Sequence, residues 1–275
     1  MTGKFKLLAF LFAVPLLALL LCFEIAPLVA VAWNSFQSDD GLTLAHYGEI
    51  LGSAFHRTAF RTSCLISLAT AAIGLGLALP IANMLRRMPD GWQQAVLTFS
   101  NMGSNFTGFP LAFAFIIMFG ISGSFTLLLA KTGIVDQLNI YSTGGLILVY
   151  AYLQVQLGVL LIFPALCALT PEVEEAAALV GASRLAFWWR IGLPILMPSL
   201  IGSFILLFAN AMGTYATAYA LIGGNANLVT LRIGELAAGD VFSDPQLADA
   251  LGTLLVLVLA LPVIVEQTLL RRYYK

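Results

Sequence analysis

Residues 175–194 read Glu-Ala-Ala-Ala-Leu-Val-Gly-Ala-Ser-Arg-Leu-Ala-Phe-Trp-Trp-Arg-Ile-Gly-Leu-Pro. This polar, glycine-broken stretch lies between two apolar runs long enough to cross a bilayer. Just before it, Thr170-Pro171-Glu172 has the form of a helix start. Threonine can cap, proline suits the first helical position, and Glu172, Glu174 and Glu175 complement the helix dipole. The spacing predicts a helix from Pro171 to about Val180. Gly181 then permits a sharp change of direction. Ser183 can cap a second short helix over 184–190, which carries Phe187, Trp188 and Trp189. Gly192-Leu193-Pro194 is expected to turn the chain into the next apolar run, with Pro198 in its first turn.

Working outward, the chain has 275 residues, 60% hydrophobic and only 10% charged. A soluble domain carries about 25% charged residues, so a bilayer is the expected solvent. The net charge of −1 gives no electrostatic support to nucleic-acid binding. Cys22, Cys64 and Cys167 all lie inside apolar runs and read as small buried hydrophobes. His46 and His56 have no cysteine or histidine cluster around them, so no metal site is expected. Six segments reach membrane length: 7–32, 62–85, 95–119, 144–169, 195–222 and 247–270. The third is interrupted by Asn101, Ser104, Asn105 and Thr107. The run 124–130 is too short to span and reads as an interfacial helix. The apolar stretch from Phe5 to Phe23 exceeds a signal-peptide core of about 7–15 residues, so an uncleaved membrane helix is expected. Leu21 is too bulky for Leu19-Leu20-Leu21-Cys22 to be a lipoprotein signal.

Orientation follows from the basic residues. With the N-terminus inside, the inner face holds Lys4, Lys6, Arg86, Arg87, Arg184, Arg190, Arg271, Arg272 and Lys275, and the outer face Arg57, Arg61, Lys131 and Arg232. That is nine of the 13 basic residues against four. Both termini and the loop 170–194 are then cytoplasmic. The fold class expected is an all-α integral membrane protein with six spans and two short cytoplasmic helices between spans four and five, in one domain over 1–275.

The loop resembles the EAA loop of bacterial ABC-importer permeases at seven fixed positions: Glu175, Ala176, Ala177, Gly181, Ile191, Leu193 and Pro194. Weaker similarities are Trp33-Asn34-Ser35-Phe36 after the first span, Leu44-Ala45-His46-Tyr47 before the second, and Thr170-Pro171-Glu172. The resemblance is to permeases of type I importers, of the group serving polyamine, sulfate, ferric-iron and phosphonate uptake. It implies a multi-pass protein of the bacterial inner membrane. In that family the loop docks a separate ATPase, which here gives Glu174, Glu175, Ala176, Ala177, Gly181, Ile191, Leu193 and Pro194 coupling roles. Implied partners are a second permease subunit (a different chain more readily than a second copy), two ATPase subunits and a periplasmic or lipid-anchored solute-binding protein. The chain holds no G-x-x-x-x-G-K-[ST] motif. ATP and magnesium are therefore expected on the partner ATPase, with no cofactor and no catalytic residue in this chain. The bland reading of the loop is an amphipathic connection anchored by Trp188 and Trp189.

Polar residues inside spans are costly, and they mark candidate solute contacts. Asn105, Gln154, Gln156, Asn210 and Thr214 converge on the middle and outer half of the membrane, at about 1.5 Å per residue. Asn210, Thr214 and Thr217 are expected to share a helical face. Such residues also join membrane helices by hydrogen bonds, which is the competing reading. Glu24 and Glu266 are expected in structural pairs or cavities, Asp249 in solvent. Asp39, Asp40, Asp240 and Asp244 make the outer loops acidic. A secondary transporter or channel would want midplane charges or a repeat of hydropathy, and neither is visible. A membrane enzyme would want paired carboxylates or a nucleophile–base constellation near one face, and none occurs. The sequence does not identify the solute.

Overall fold

A computed structural model describes residues 13–38, 41–132, 139–238 and 243–273. Lys4, Lys6, Asp39, Asp40, Asp240, Lys275 and the start of the first span lie outside the described residues. Among the described residues, six helical stretches are long and apolar enough to cross a membrane. The chain runs α1 (Ala13–Asn34), α2 (Ala45–Gly52), α3 (Ala54–Leu85), α4 (Asp90–Asn105), α5 (Phe109–Phe119) and α6 (Ser124–Thr132). It continues with α7 (Thr143–Cys167), α8 (Pro171–Leu179), α9 (Arg184–Phe187), α10 (Leu193–Met212), α11 (Ala216–Ile222), α12 (Val229–Ala238) and α13 (Pro245–Tyr273). An antiparallel pair of two-residue strands, β1 (Gln37–Ser38) and β2 (Gly41–Leu42), is the one sheet among the described residues.

The residues form two compact units, 1–58 with 232–258 and 59–231 with 259–275. In the first, the Ser35 hydroxyl donates to the Ala32 carbonyl at 2.7 Å and so accepts from the Tyr47 hydroxyl at 2.6 Å. Phe36 packs on Tyr47 with ring centres 5.3 Å apart. Trp33–Phe36 and Leu44–Tyr47 are thereby one local structure. Arg232 lies 4.4 Å over the Phe55 ring and pairs with Glu235. Asp249 is half-buried and hydrogen-bonded by the Asn34 side chain, not solvated as expected. Glu24 sits in a widened π turn, Leu21–Ile25, and is exposed.

In the second unit, α7 is the central helix. Leu146, Val149, Tyr150 and Leu153 pack with Leu111, Ala112, Ala218 and Leu221, and Ile162 and Leu166 pack with Ala82 and Leu196. Small residues let α3 approach: a Cβ on Gly158 would stand 2.8 Å from that of Ala78, and one on Gly74 would strike Gln154. Glu266 lies beside Gly202, where a Cβ would meet its Oε1 at 2.6 Å.

Two spans differ from the sequence reading. The third segment breaks between α4 and α5, because Gly108 takes φ +74 and Pro110 opens a new helix. Thr217 repairs the break: its hydroxyl accepts from the Gly108 N–H at 3.0 Å and lies 3.3 Å from the Gly108 carbonyl. The apolar stretch of membrane length runs over Phe109–Thr132, beyond the expected 95–119, because Asn101, Ser104 and Asn105 dilute the earlier turns. It is interrupted at 120–123, so 124–132 remains a separate short helix. The fifth span breaks between α10 and α11. The Thr214 carbonyl there accepts from the Tyr150 hydroxyl at 2.9 Å and the Thr230 hydroxyl at 3.4 Å. Thr217 therefore does not continue the face of Asn210 and Thr214.

Candidate functional site

The loop 170–194 folds as two helices meeting at a glycine. Thr170 stands at the N-cap with extended backbone, yet makes no cap bond. Its hydroxyl instead bonds the Glu172 carboxylate and holds it below the usual carboxylate range. Helix α8 ends in a Schellman motif. The Ala182 N–H reaches the Ala177 carbonyl at 3.0 Å, and the Gly181 N–H the Ala178 carbonyl at 2.9 Å. Gly181 closes it with φ +80, a left-handed value that L side chains resist. Ser183 then caps α9 by accepting from the Ala186 N–H at 3.2 Å.

The expected turn at Gly192-Leu193-Pro194 is absent. Helix continues from Arg184 to Met212 through a π turn at Trp188–Gly192. Pro194 has no N–H to give the carbonyl four residues back, and a widened turn just before it absorbs the mismatch. Gly192 is needed for contact: a Cβ there would stand 2.9 Å from the Trp188 ring. The second helix of the loop is thus the start of the fifth span.

The loop is fastened by two arginines that the sequence reading left as orientation markers only. Glu174 pairs with Arg86, and its Oε1 and Oε2 accept from Arg87 at 3.1 and 2.8 Å. Arg86 also donates to the Leu169 carbonyl at 2.5 Å and to Asn83 Oδ1 at 2.8 Å. Burial pushes Glu174 up, but the hydrogen bond and charge of Arg86, then those of Arg87, outweigh it and hold the group below the ordinary range. The signal available in sequence was an Arg-Arg pair at the inner end of span two and a second glutamate beside Glu175. No spacing rule links positions so far apart.

Glu175 and Ala176 are exposed, while Ala177 is buried under the helix. Gly181 and Pro194 are exposed, and Ile191 and Leu193 half-buried. Beyond α8, Leu179 and Val180 are 89% and 84% exposed and Leu185 69%, an apolar tip on a charged loop. A cleft of about 510 Å³ opens beside it, lined by Asn83, Arg87, Glu174, Glu175, Arg184 and Trp188 among others.

The membrane polar residues divide. Gln154, 1% exposed, donates to the Leu207 carbonyl and accepts at Oε1 from Asn210 Nδ2 at 3.2 Å. A carbonyl can only accept, so this bond fixes both amide orientations. The Thr214 hydroxyl donates to the Asn210 carbonyl at 2.7 Å. Gln154, Asn210 and Thr214 are thus brought together. Asn105 is exposed, and its side-chain amide donates to the Asn101 carbonyl and Oδ1 at 2.8 and 3.2 Å. Gln156 is buried against Gly103, with Oε1 unpartnered among the described residues. Among the described residues no three His, Cys, Asp or Glu side chains gather as metal ligands.

No family model matches the chain. It is 27% identical over 212 residues to the molybdenum transport system permease ModB of Mycobacterium tuberculosis, covering 74% of this chain and 77% of that one. To the sn-glycerol-3-phosphate transport system permease UgpA of Agrobacterium fabrum it is 24% identical over 265 residues, covering 86% and 89%. The fold matches a crystal structure of a bacterial ABC transporter that imports the acidic polysaccharide alginate. The TM-score is 0.76 and the identity 17%, over 99% of this chain and 98% of that one. A second alginate transporter structure, with an alginate pentasaccharide-bound periplasmic protein, also gives a TM-score of 0.76, over 99% and 96%. By these likenesses the chain is an ABC-importer permease subunit. As such a permease it is a non-catalytic, multi-pass protein of the inner membrane, and its six apolar helices agree.

Proposed function

We propose that this permease forms half of a solute pathway, in one transmembrane domain over 1–275, and is driven by a separate ATPase docked on the loop 170–194. The observation that carries the reading is the loop itself. It is two helices locked at Gly181, with Glu175, Ala176, Leu179, Val180 and Leu185 left uncovered at its tip. Apolar groups so exposed outside the bilayer suit a protein partner. Both termini and the loop lie in the cytoplasm on this reading, where the basic residues concentrate. ATP and magnesium are held by the two ATPase subunits, and the complex is completed by a second, different permease chain and a solute-binding protein. Gln154, Asn210 and Thr214 lie along the pathway, with Gln156 beside Gln154 on α7 and Asn105 at the end of α4. Relatives carry molybdenum, sn-glycerol-3-phosphate and alginate, so the likeness assigns import and no particular solute.

The test is co-purification of the ATPase with tagged permease. Glu175→Lys places a cation in the first turns of α8, where the helix dipole opposes it, and alters the exposed surface. It is expected to lose the ATPase while the permease stays in the membrane. Wild-type recovery of the ATPase with Glu175→Lys would remove the loop tip from docking.

A further inference from the structure

Resting on that docking reading, we propose that Arg86 is a clamp making the coupling helix α8 and the inner ends of the second and fourth spans move as one body, with Glu174 as its link. Arg86 is unusual for a basic residue at a membrane edge: its side chain is 8% exposed. Its planar fork binds three elements. Nε reaches Asn83 Oδ1 in the last turn of α3, just before Arg86, which sets the plane of the guanidinium. Nη1 takes the Leu169 carbonyl, just past the end of α7, and Nη2 takes Glu174 on α8. Leu169 and Glu174 stand on either side of the bend at Thr170. The fork therefore spans that bend and fixes the angle of α8 on α7. Without it, motion of α8 would reach the spans only through the short link 168–170.

The clamp also divides two adjacent glutamates by role. Successive helical residues point about 100° apart, so Glu174 faces α3 and Glu175 faces outward. Both oxygens of Glu174 are occupied within the chain. Glu174 is thus a positioning residue and Glu175 the docking one. Arg87, 57% exposed, adds a screened second contact of little weight. Lysine cannot replace Arg86, because a single ammonium lacks the fork that satisfies a carbonyl and a carboxylate in one plane.

Paired spin labels test the clamp on the permease–ATPase complex, with Cys22, Cys64 and Cys167 replaced. The labels go on Glu172→Cys, exposed at the start of α8, and Leu65→Cys, exposed on α3. The clamp requires one narrow distance between them, the same without nucleotide and after trapping with ATP and vanadate. Glu174→Gln and Arg86→Lys should each broaden it and make it shift on trapping, with the ATPase still bound and hydrolysing. Arg87→Ala should leave it narrow. A wild-type distance that shifts on trapping, or Glu174→Gln and Arg86→Lys distances identical to wild type, would overturn the clamp while leaving docking intact. Absence of the ATPase from wild-type preparations would overturn the docking reading and the clamp with it.

Discussion

At Gly181 one backbone angle decides the shape of the loop. Nothing stands within 4 Å of the place where its Cβ would be, so φ +80 alone demands glycine there. Forcing a non-glycine residue into that region costs about 1–2 kcal/mol, more for a β-branched one. Gly181→Asn is expected to keep the ATPase bound and Gly181→Val to release most of it, as read by co-purification. Here the sequence was sufficient, because glycine ending a helical pattern carries its own geometry. Glu174 was legible only in part. Its place near a helix start was visible, but its tie to Arg86 is a contact between residues 88 apart. That tie gives a pH dependence. The folded Glu174 titrates below its ordinary value, so its contribution is complete above the unfolded value of about 4.3 and is lost as pH falls through the lower folded one. Thermal unfolding of purified permease from pH 7 down past 4 should show wild type losing more stability than Glu174→Gln. Parallel curves would mean the ion pair contributes nothing to the fold.

Among the elements, breaks were harder to read than helices. Apolar length marked most spans, yet the third and fifth are each divided, at 106–108 and 213–215. The causes are partly local: Gly108 and Pro110 in one, Gly213 and Thr214 in the other. What makes the breaks tolerable is tertiary. Thr217 on α11 serves Gly108 between α4 and α5, and Tyr150 on α7 serves Thr214, and no local pattern announces such partners. The helix 184–212 shows the opposite error. Gly192-Leu193-Pro194 looked like a turn, but proline early in a helix needs no N–H, and a π turn let the chain pass straight through. The repair at Gly108 can be weighed. Thr217→Val keeps the shape and removes the hydroxyl, leaving a half-buried amide without that partner at a cost of about 1 kcal/mol. Thr217→Ser keeps the hydroxyl. The valine variant is expected to melt earlier than the serine variant in detergent, with faster amide exchange at Gly108. Equal melting and equal exchange would show that the Gly108 amide finds another partner.

For the whole molecule, membrane class and span number came from composition, because a chain with so few charges has no soluble solution to its hydrophobic surface. Which helices pack on which came only from the structure, since α7 looks no more central in sequence than its neighbours. Gln154 illustrates the limit. Its polarity inside a span was visible along the chain, but its partners in the fold, the Leu207 carbonyl and Asn210, were not. Topology rests on a different physical quantity, the excess of Lys and Arg on one side. An odd number of crossings between Leu42 and Ser183 puts them on opposite faces, and the basic residues choose which is inside. Both are exposed, Leu42 at the end of β2 and Ser183 at the cap of α9. Single cysteines at the two positions, in a background without the native three, should divide under an impermeant maleimide. Leu42→Cys is expected to react in intact cells, and Ser183→Cys only after the membrane is opened. Reaction of Ser183→Cys in intact cells would put the loop on the outer face. An ATPase confined to the cytoplasm could not then reach it, and the arrangement proposed for this importer would fall with the topology.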